Sequence, residues 1–303
     1  MSAWVGFGFA ILGALACALM SVVVKFMGDE QSVWGILLFQ SFVGLSLVMP
    51  QQFKRTVAPV QKSQWLGLHF LRALSGVGAC ALSYIAIKFI PLSLEMILAS
   101  SFPIFVPVFA YFFGQKFDRR LLIYIGLSFV GLWLVVDPRL GSIHPAALLA
   151  VGCGVFTALS LVLMNKLLQK GESPSRSVFF YSLFSAVMVG ILWGLQAEPT
   201  LKQWPLGLVL GFLFYIQQMA FNFACQRLDP VKLSILLYTS LIFTGIFDYF
   251  IWQFVPNLPQ VLGLLVIAVS SVLSVRLRQR AKQEKEVDEG SMVGESHSEK
   301  SVA

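Results

Sequence analysis

Three ionisable side chains stand inside long apolar runs of this chain: Arg72, Glu95 and Asp248. A charge is costly in hydrocarbon, so each becomes a site candidate wherever its run crosses a bilayer. The chemistry on offer is ion recognition. A guanidinium holds a carboxylate by a two-pronged hydrogen bond, while a carboxylate attracts an ammonium or sulfonium group or carries a proton. Each also has a plainer reading. Arg72 lies about 10 Å into its run at 1.5 Å per residue, within snorkelling reach of headgroups. Glu95 lies about 6 Å into its run, where an acid also complements a helix dipole. Asp248 ends a polar row with Thr244 and Ser240 at four-residue spacing. Such a stripe faces protein or water rather than lipid.

Uncharged polar residues extend this set. Gln217, Gln218 and Asn222 sit in one apolar run, Gln40 and Asn165 in two others, and Ser100-Ser101 in the run that holds Glu95. They line a cavity, or they bond to a neighbouring helix for about 0.6 kcal/mol each. Tyr84 and Tyr238 offer faces on which a ring substrate stacks; packing and interface belts are the other use of such residues. Pro103 and Pro107 loosen a helix so that freed carbonyls meet a ligand, or simply bend it. The spacings Gly190–Gly194 and Gly207–Gly211 predict close helix contacts. Catalysis finds little support. Cys17, Cys80, Cys153 and Cys225 have no CxxC spacing, the three histidines form no ligand pair, and there is no phosphate-binding loop. The expectation is a protein with no cofactor and no metal, and not an enzyme.

The elements that must position these residues follow from composition. Hydrophobic residues make up 57% of the chain and charged residues 12%, with a mean hydropathy of +0.79. A soluble domain carries about 25% charged residues, so this is an all-α, multi-pass membrane protein. Ten apolar segments are predicted at about 4–24, 32–50, 65–87, 91–114, 121–136, 146–165, 177–196, 205–226, 231–253 and 260–275. All are read as helices, because lipid leaves the backbone to satisfy its own hydrogen bonds.

With the N-terminus in the cytoplasm, seventeen Lys and Arg fall on the inner side and four on the outer. That bias predicts cytoplasmic termini and accounts for the net charge of +7 without nucleic acid. A repeat is also visible. Shifted by 139 residues, Pro91 falls on Pro230, Leu94 on Leu233 and Ser101 on Ser240; Lys25 falls on Lys166 at a shift of 141. Two five-helix units must be inverted, since five is odd. Inverted repeats are the usual build of alternating-access transporters, with the site between the halves near the midplane.

Up to about residue 278 the chain resembles the drug/metabolite transporter superfamily, specifically its EamA-type ten-helix members. The resemblance rests on Tyr84-Ile-Ala-Ile-Lys-Phe-Ile-Pro91, Ser101-Phe-Pro103-Ile-Phe-Val-Pro107, Gly114-Gln-Lys-Phe117 and Gly126 to Gly131. Gln115 stands where the family commonly has Glu, so no acid is required at that position here. Leu71-Arg72-Ala73 and Met164-Asn165-Lys166 are similar to the branch containing bacterial S-adenosylmethionine transporters. The resemblance implies a cavity walled by the first, third, fourth, sixth, eighth and ninth segments. The expected plan is one repeat over 1–140, a second over 141–276 and a disordered cytoplasmic tail over 277–303. The expected function is secondary or exchange transport of a small organic metabolite across a bacterial inner membrane, with S-adenosylmethionine the leading substrate. The alternatives are an exporter of amino acids or drugs, and a membrane-embedded enzyme or scaffold. Expected partners are the substrate, lipid, and a coupling proton or counter-substrate; oligomeric state is open.

Overall fold

A computed structural model describes residues 3–28, 31–53, 63–113, 121–136, 145–196, 203–228, 236–270, 272–273 and 276. The expected tail, the Gly114–Phe117 turn and the Pro230 match lie outside these residues. Among the described residues every regular element is a helix. In chain order they are α1 (Ala3–Met27), α2 (Val33–Phe53), α3 (Leu66–Phe89), α4 (Leu92–Ala99), α5 (Phe102–Phe112), α6 (Leu121–Val136), α7 (Pro145–Gln169), α8 (Pro174–Gly194), α9 (Trp204–Cys225) and α10 (Thr239–Trp252), followed by α11 (Leu258–Ser270). Among the described residues seven spans are long and apolar enough to cross a membrane, α4 and α5 together forming one of them. Three further apolar helices are shorter: Gly126–Val135 within α6, α10 and α11. The protein is an integral, multi-pass membrane protein.

The fourth segment departs from the expectation of one continuous helix. It breaks at Ser100-Ser101, between α4 and α5. The cause is local. Pro103 has no N–H to offer the Ala99 carbonyl. The chain tightens instead: the Ser101 N–H donates to the Leu98 carbonyl (3.1 Å), and the Ile104 N–H to that of Ser101 (3.0 Å). The bend thus precedes the prolines that cause it. A matching interruption occurs at Tyr238, just before α10, where the Leu241 N–H donates to the Tyr238 carbonyl (3.1 Å). The two breaks meet, since the Tyr238 hydroxyl donates to the Ser100 carbonyl at 3.5 Å.

Packing follows one scheme. α3 lies along α7 and α8, α1 along α9 and α10, α2 along α8 and α9, and α7 along α4 and α5. Exchange α1–α6 for α7–α11, with α4 and α5 counted as one span, and this set of pairings maps onto itself. Two lysines obey the same exchange. Lys25 sits 4.6 Å over the Trp252 ring, and Lys166 sits 4.6 Å over that of Phe113.

Small residues set the closest approaches. Gly207 and Gly211 admit Phe39 and Val43 of α2, as their spacing predicts, but among the described residues a Cβ on Gly190 would meet only Leu38, at 3.8 Å, and one on Gly194 nothing within 4 Å. This second glycine pair is therefore not a close helix contact. The closest approach to another helix's backbone joins α6 to α11, where a Cβ on Gly263 would stand 2.5 Å from the Gly131 carbonyl oxygen. Backbone cannot yield there, so Gly263→Ala should cost about 1–3 kcal/mol in a detergent unfolding assay. Gly126→Ala meets nothing within 4 Å and should be neutral or stabilising. Equal effects of the two substitutions would refute this account.

Candidate functional site

α3 carries the polar residues inward on one face. His69, Arg72, Gly76, Cys80 and Tyr84 recur at three- or four-residue spacing, the period that stacks side chains on one side of a helix. Arg72 does not snorkel to lipid headgroups: its residue is 2% exposed. One guanidinium nitrogen donates to the Ser177 carbonyl at 2.9 Å and to the Ser177 hydroxyl, and the other donates to Gln218 Oε1 at 3.2 Å. The Tyr181 ring lies 5.1 Å beneath it, and its Nε has no hydrogen-bond partner. Tyr181 reaches that place because position 76 is glycine: a Cβ there would fall on its ring and hydroxyl.

Farther along α3, the Tyr84 hydroxyl donates to Gln40 Oε1, and Gln40 Nε2 approaches Cys80 Sγ at 3.9 Å. Glu95 projects from the first turn of α4 into the same interior and is 2% exposed. Ser83 of α3 lies beside its carboxyl, and Cys17, Cys80 and Cys153 lie near it on α1, α3 and α7. Neither Arg72 nor Glu95 has an ion-pair partner among the described residues. The fold therefore brings two buried ionisable groups, one basic and one acidic, to one interior without an ion-pair partner among the described residues.

Asp248 is arranged differently. It is fully buried, and its Oδ2 accepts from both the N–H and the hydroxyl of Ser93, each at 2.7 Å. Its other oxygen lies 3.7 Å from Lys25 Nζ. A carboxylate thus sits on the N-terminus of α4, where free N–H groups and the helix dipole favour an anion. Ser240 and Thr244, the rest of the predicted row, are buried and donate to carbonyls of their own chain segment: Ser240 to Leu237 at 2.6 Å, Thr244 to Ser240 at 3.0 Å. The row faces protein, and in this conformation it ties α10 to α4 and α1.

The other predicted residues divide. Gln218 joins Arg72 directly, and Asn222 is buried and donates to the Gln218 carbonyl at 2.7 Å. Ser100 and Ser101 are buried at the break, packed against α7. A Cβ on Gly154 would stand 2.8 Å from Ser101 Oγ and 2.9 Å from the Ala99 oxygen. Tyr238 meets Ser100, as described, rather than Tyr84.

Sequence reasoning missed the turn between α7 and α8. Gly171, at φ +85°, ends α7: the Glu172 N–H donates to Leu167 O and the Gly171 N–H to Leu168 O, both at 3.1 Å. Ser173 then caps α8, with Pro174 in its first turn. Glu172 is thereby held inward, where its carboxylate accepts from Ser63 Oγ (2.6 Å) and Arg176 (3.2 Å). The Gly-Glu-Ser-Pro run is a helix stop followed by a helix start, a signal legible in the sequence.

Comparison with known proteins agrees with this architecture. The EamA-like transporter family matches the chain twice, over residues 4–137 and 144–276. The pseudopaline exporter CntI of Pseudomonas aeruginosa is 22% identical over 89% of this chain and 95% of its own length. An S-adenosylmethionine uptake transporter of Rickettsia bellii is 22% identical over 93% and 97%. Human solute carrier family 35 member G1 is 25% identical over 88% and 78%. A crystal structure superimposes with a TM-score of 0.61 at 17% identity, covering 92% of this chain and 97% of that one, which is a likeness of fold alone.

Proposed function

Since this chain belongs to the EamA-like transporter family, we propose that it moves a small amphoteric metabolite across the membrane by alternating access. The observation that carries this reading is the pair Arg72 and Glu95, one basic and one acidic, both buried and without an ion-pair partner among the described residues. The substrate carboxylate sits on the guanidinium, whose Nε is free of protein partners. Glu95 accepts from an amine at the far end. Ser83, which lies beside Glu95, is eleven residues beyond Arg72 on α3, about 16 Å at 1.5 Å per residue. A bare amino acid cannot span that distance, whereas an amino acid joined to a nucleoside can. Tyr84 and Tyr181 lie along the way, where aromatic faces attract a sulfonium with about 0.5–2 kcal/mol. S-adenosylmethionine has all of these groups and is the leading substrate.

Two inverted five-helix halves, 1–140 and 141–276, supply the motion. The double family match and the exchange-invariant packing support this plan. The charge bias places the Glu172 end of the bundle, with both termini, in the cytoplasm, and a bacterial inner membrane is the proposed location.

Radiolabelled S-adenosylmethionine counterflow in proteoliposomes tests the reading. Competition should be strong from compounds that join a carboxylate to a distant amine and weak from short amino acids. Glu95→Gln should weaken the labelled substrate by roughly 10-fold or more. If neither S-adenosylmethionine nor any amphoteric competitor is taken up, the reading fails.

A further inference from the structure

Beneath the Arg72 site lies a buried histidine that the transport reading leaves unused. His69 is fully buried on α3, and its ring packs on Phe180 at 4.7 Å between centroids. Its Nε2 stands 3.7 Å from Glu172 Oε1, yet neither ring nitrogen makes a hydrogen bond. Among the described residues the charged groups around it come from three elements. Glu172 faces it from the α7–α8 turn, Arg176 binds the other oxygen of that carboxylate from α8, and Arg72 stands three residues along α3, a neighbouring position on the helix. Lys170, in the same turn, is held over the Trp65 ring at 3.3 Å.

A proton on this imidazole faces one carboxylate and two guanidiniums. Arg176 is already matched to Glu172, but Arg72 is not matched to any protein acid, so its charge opposes the proton while the site is empty. A substrate carboxylate on Arg72 cancels that opposition, and by linkage a proton on His69 strengthens the carboxylate's binding equally. We propose that His69, with Glu172, is a proton-binding site coupled to occupancy of Arg72, so that substrate and proton are carried in the same direction. This rests on the substrate reading above for the identity of the anion. The coupling to Arg72 itself needs no substrate.

The full-length protein in nanodiscs, with ¹⁵N-labelled histidine and His144→Gln and His297→Gln, leaves His69 as the one imidazole signal, since the chain has three histidines. Arg72→Gln should hold the His69 proton about tenfold more tightly than the parent, Arg72→Lys should match the parent, and Glu172→Gln should hold it more weakly. In proteoliposomes, S-adenosylmethionine entry should draw protons inward, read with a trapped pH dye. His69→Gln should abolish proton movement and the pH dependence of uptake while retaining exchange. An unchanged His69 titration in Arg72→Gln or in Glu172→Gln overturns the coupling, as does pH-driven accumulation by His69→Gln. Absence of any S-adenosylmethionine uptake by the parent protein would instead strike the substrate reading, with the titrations still deciding the coupling.

Discussion

Arg72→Gln is expected to weaken binding of a carboxylate-bearing substrate by about 100-fold or more. A hydrogen bond to a charged group contributes about 1.5–3 kcal/mol, and the guanidinium offers such bonds in a fixed fork. Two of them lost from a site without bulk water exceed the tenfold that each 1.4 kcal/mol represents. The protein itself should survive, because a glutamine amide can still donate to the Ser177 carbonyl that Arg72 now engages at 2.9 Å. Arg72→Lys separates charge from geometry: it keeps the cation but loses the fork, so it should recover only part of the affinity. Equilibrium binding to the purified protein measures both variants. Wild-type affinity in Arg72→Gln would remove the arginine from the site altogether.

Asp248→Ala should loosen the end of the bundle opposite Glu172. Breaking a buried ion pair costs about 3–5 kcal/mol because one charge is stranded. The lower end applies here, since the Lys25 side chain is 20% exposed and regains water. The Ser93 N–H and hydroxyl lose their common acceptor, and with it α10 loses its hold on the start of α4. Asp248→Asn should be milder, about 1 kcal/mol, because its amide oxygen can still accept from Ser93. Thermal unfolding in detergent gives the stability difference. The opening itself is read with Met96→Cys in a background where Cys17, Cys80, Cys153 and Cys225 are alanine. A membrane-impermeant maleimide added outside the cell should label Met96→Cys only when Asp248 is replaced. Labelling that needs no Asp248 substitution would show that the tie does not close this end; labelling only from the cytoplasmic side would invert the proposed orientation.

Lys25 and Asp248 also show how one ionic tie makes the two ends of the bundle unlike. Lys166 repeats the Lys25 contact with an aromatic ring at 4.6 Å, yet one turn before Phe113 the chain has Phe109, where Asp248 precedes Trp252. Among the described residues the ends share the cation–π contact, and at the Lys25 end an acid joins the lysine itself. The opposite end is joined through Glu172, by a contact that includes a histidine. On the proposed reading, opening the first end costs an ion pair, whereas the second responds to a proton.

What the sequence determined by itself is the class of the protein and the depth of its unusual residues. Apolar composition forces the chain into lipid, and lipid forces helices, because a backbone without water must bond to itself. Counting residues at 1.5 Å each then places Arg72, Glu95 and Asp248 along the membrane normal. The break at Ser100-Ser101 was half legible, since Pro103 announces a lost hydrogen bond but not which side of it bends. Only the tertiary structure decided what each charge faces. Depth along a helix can be read from spacing, but rotation about its axis is set by packing, and the packing partners lie far away in the chain. That rotation turned Arg72 from the headgroups toward Ser177 and Gln218, left Glu95 without an ion-pair partner among the described residues, and matched Asp248 to Ser93 and Lys25. It also brought Glu172, held by a turn whose Gly-Glu-Ser-Pro signal is local, beneath a histidine from the other half of the chain.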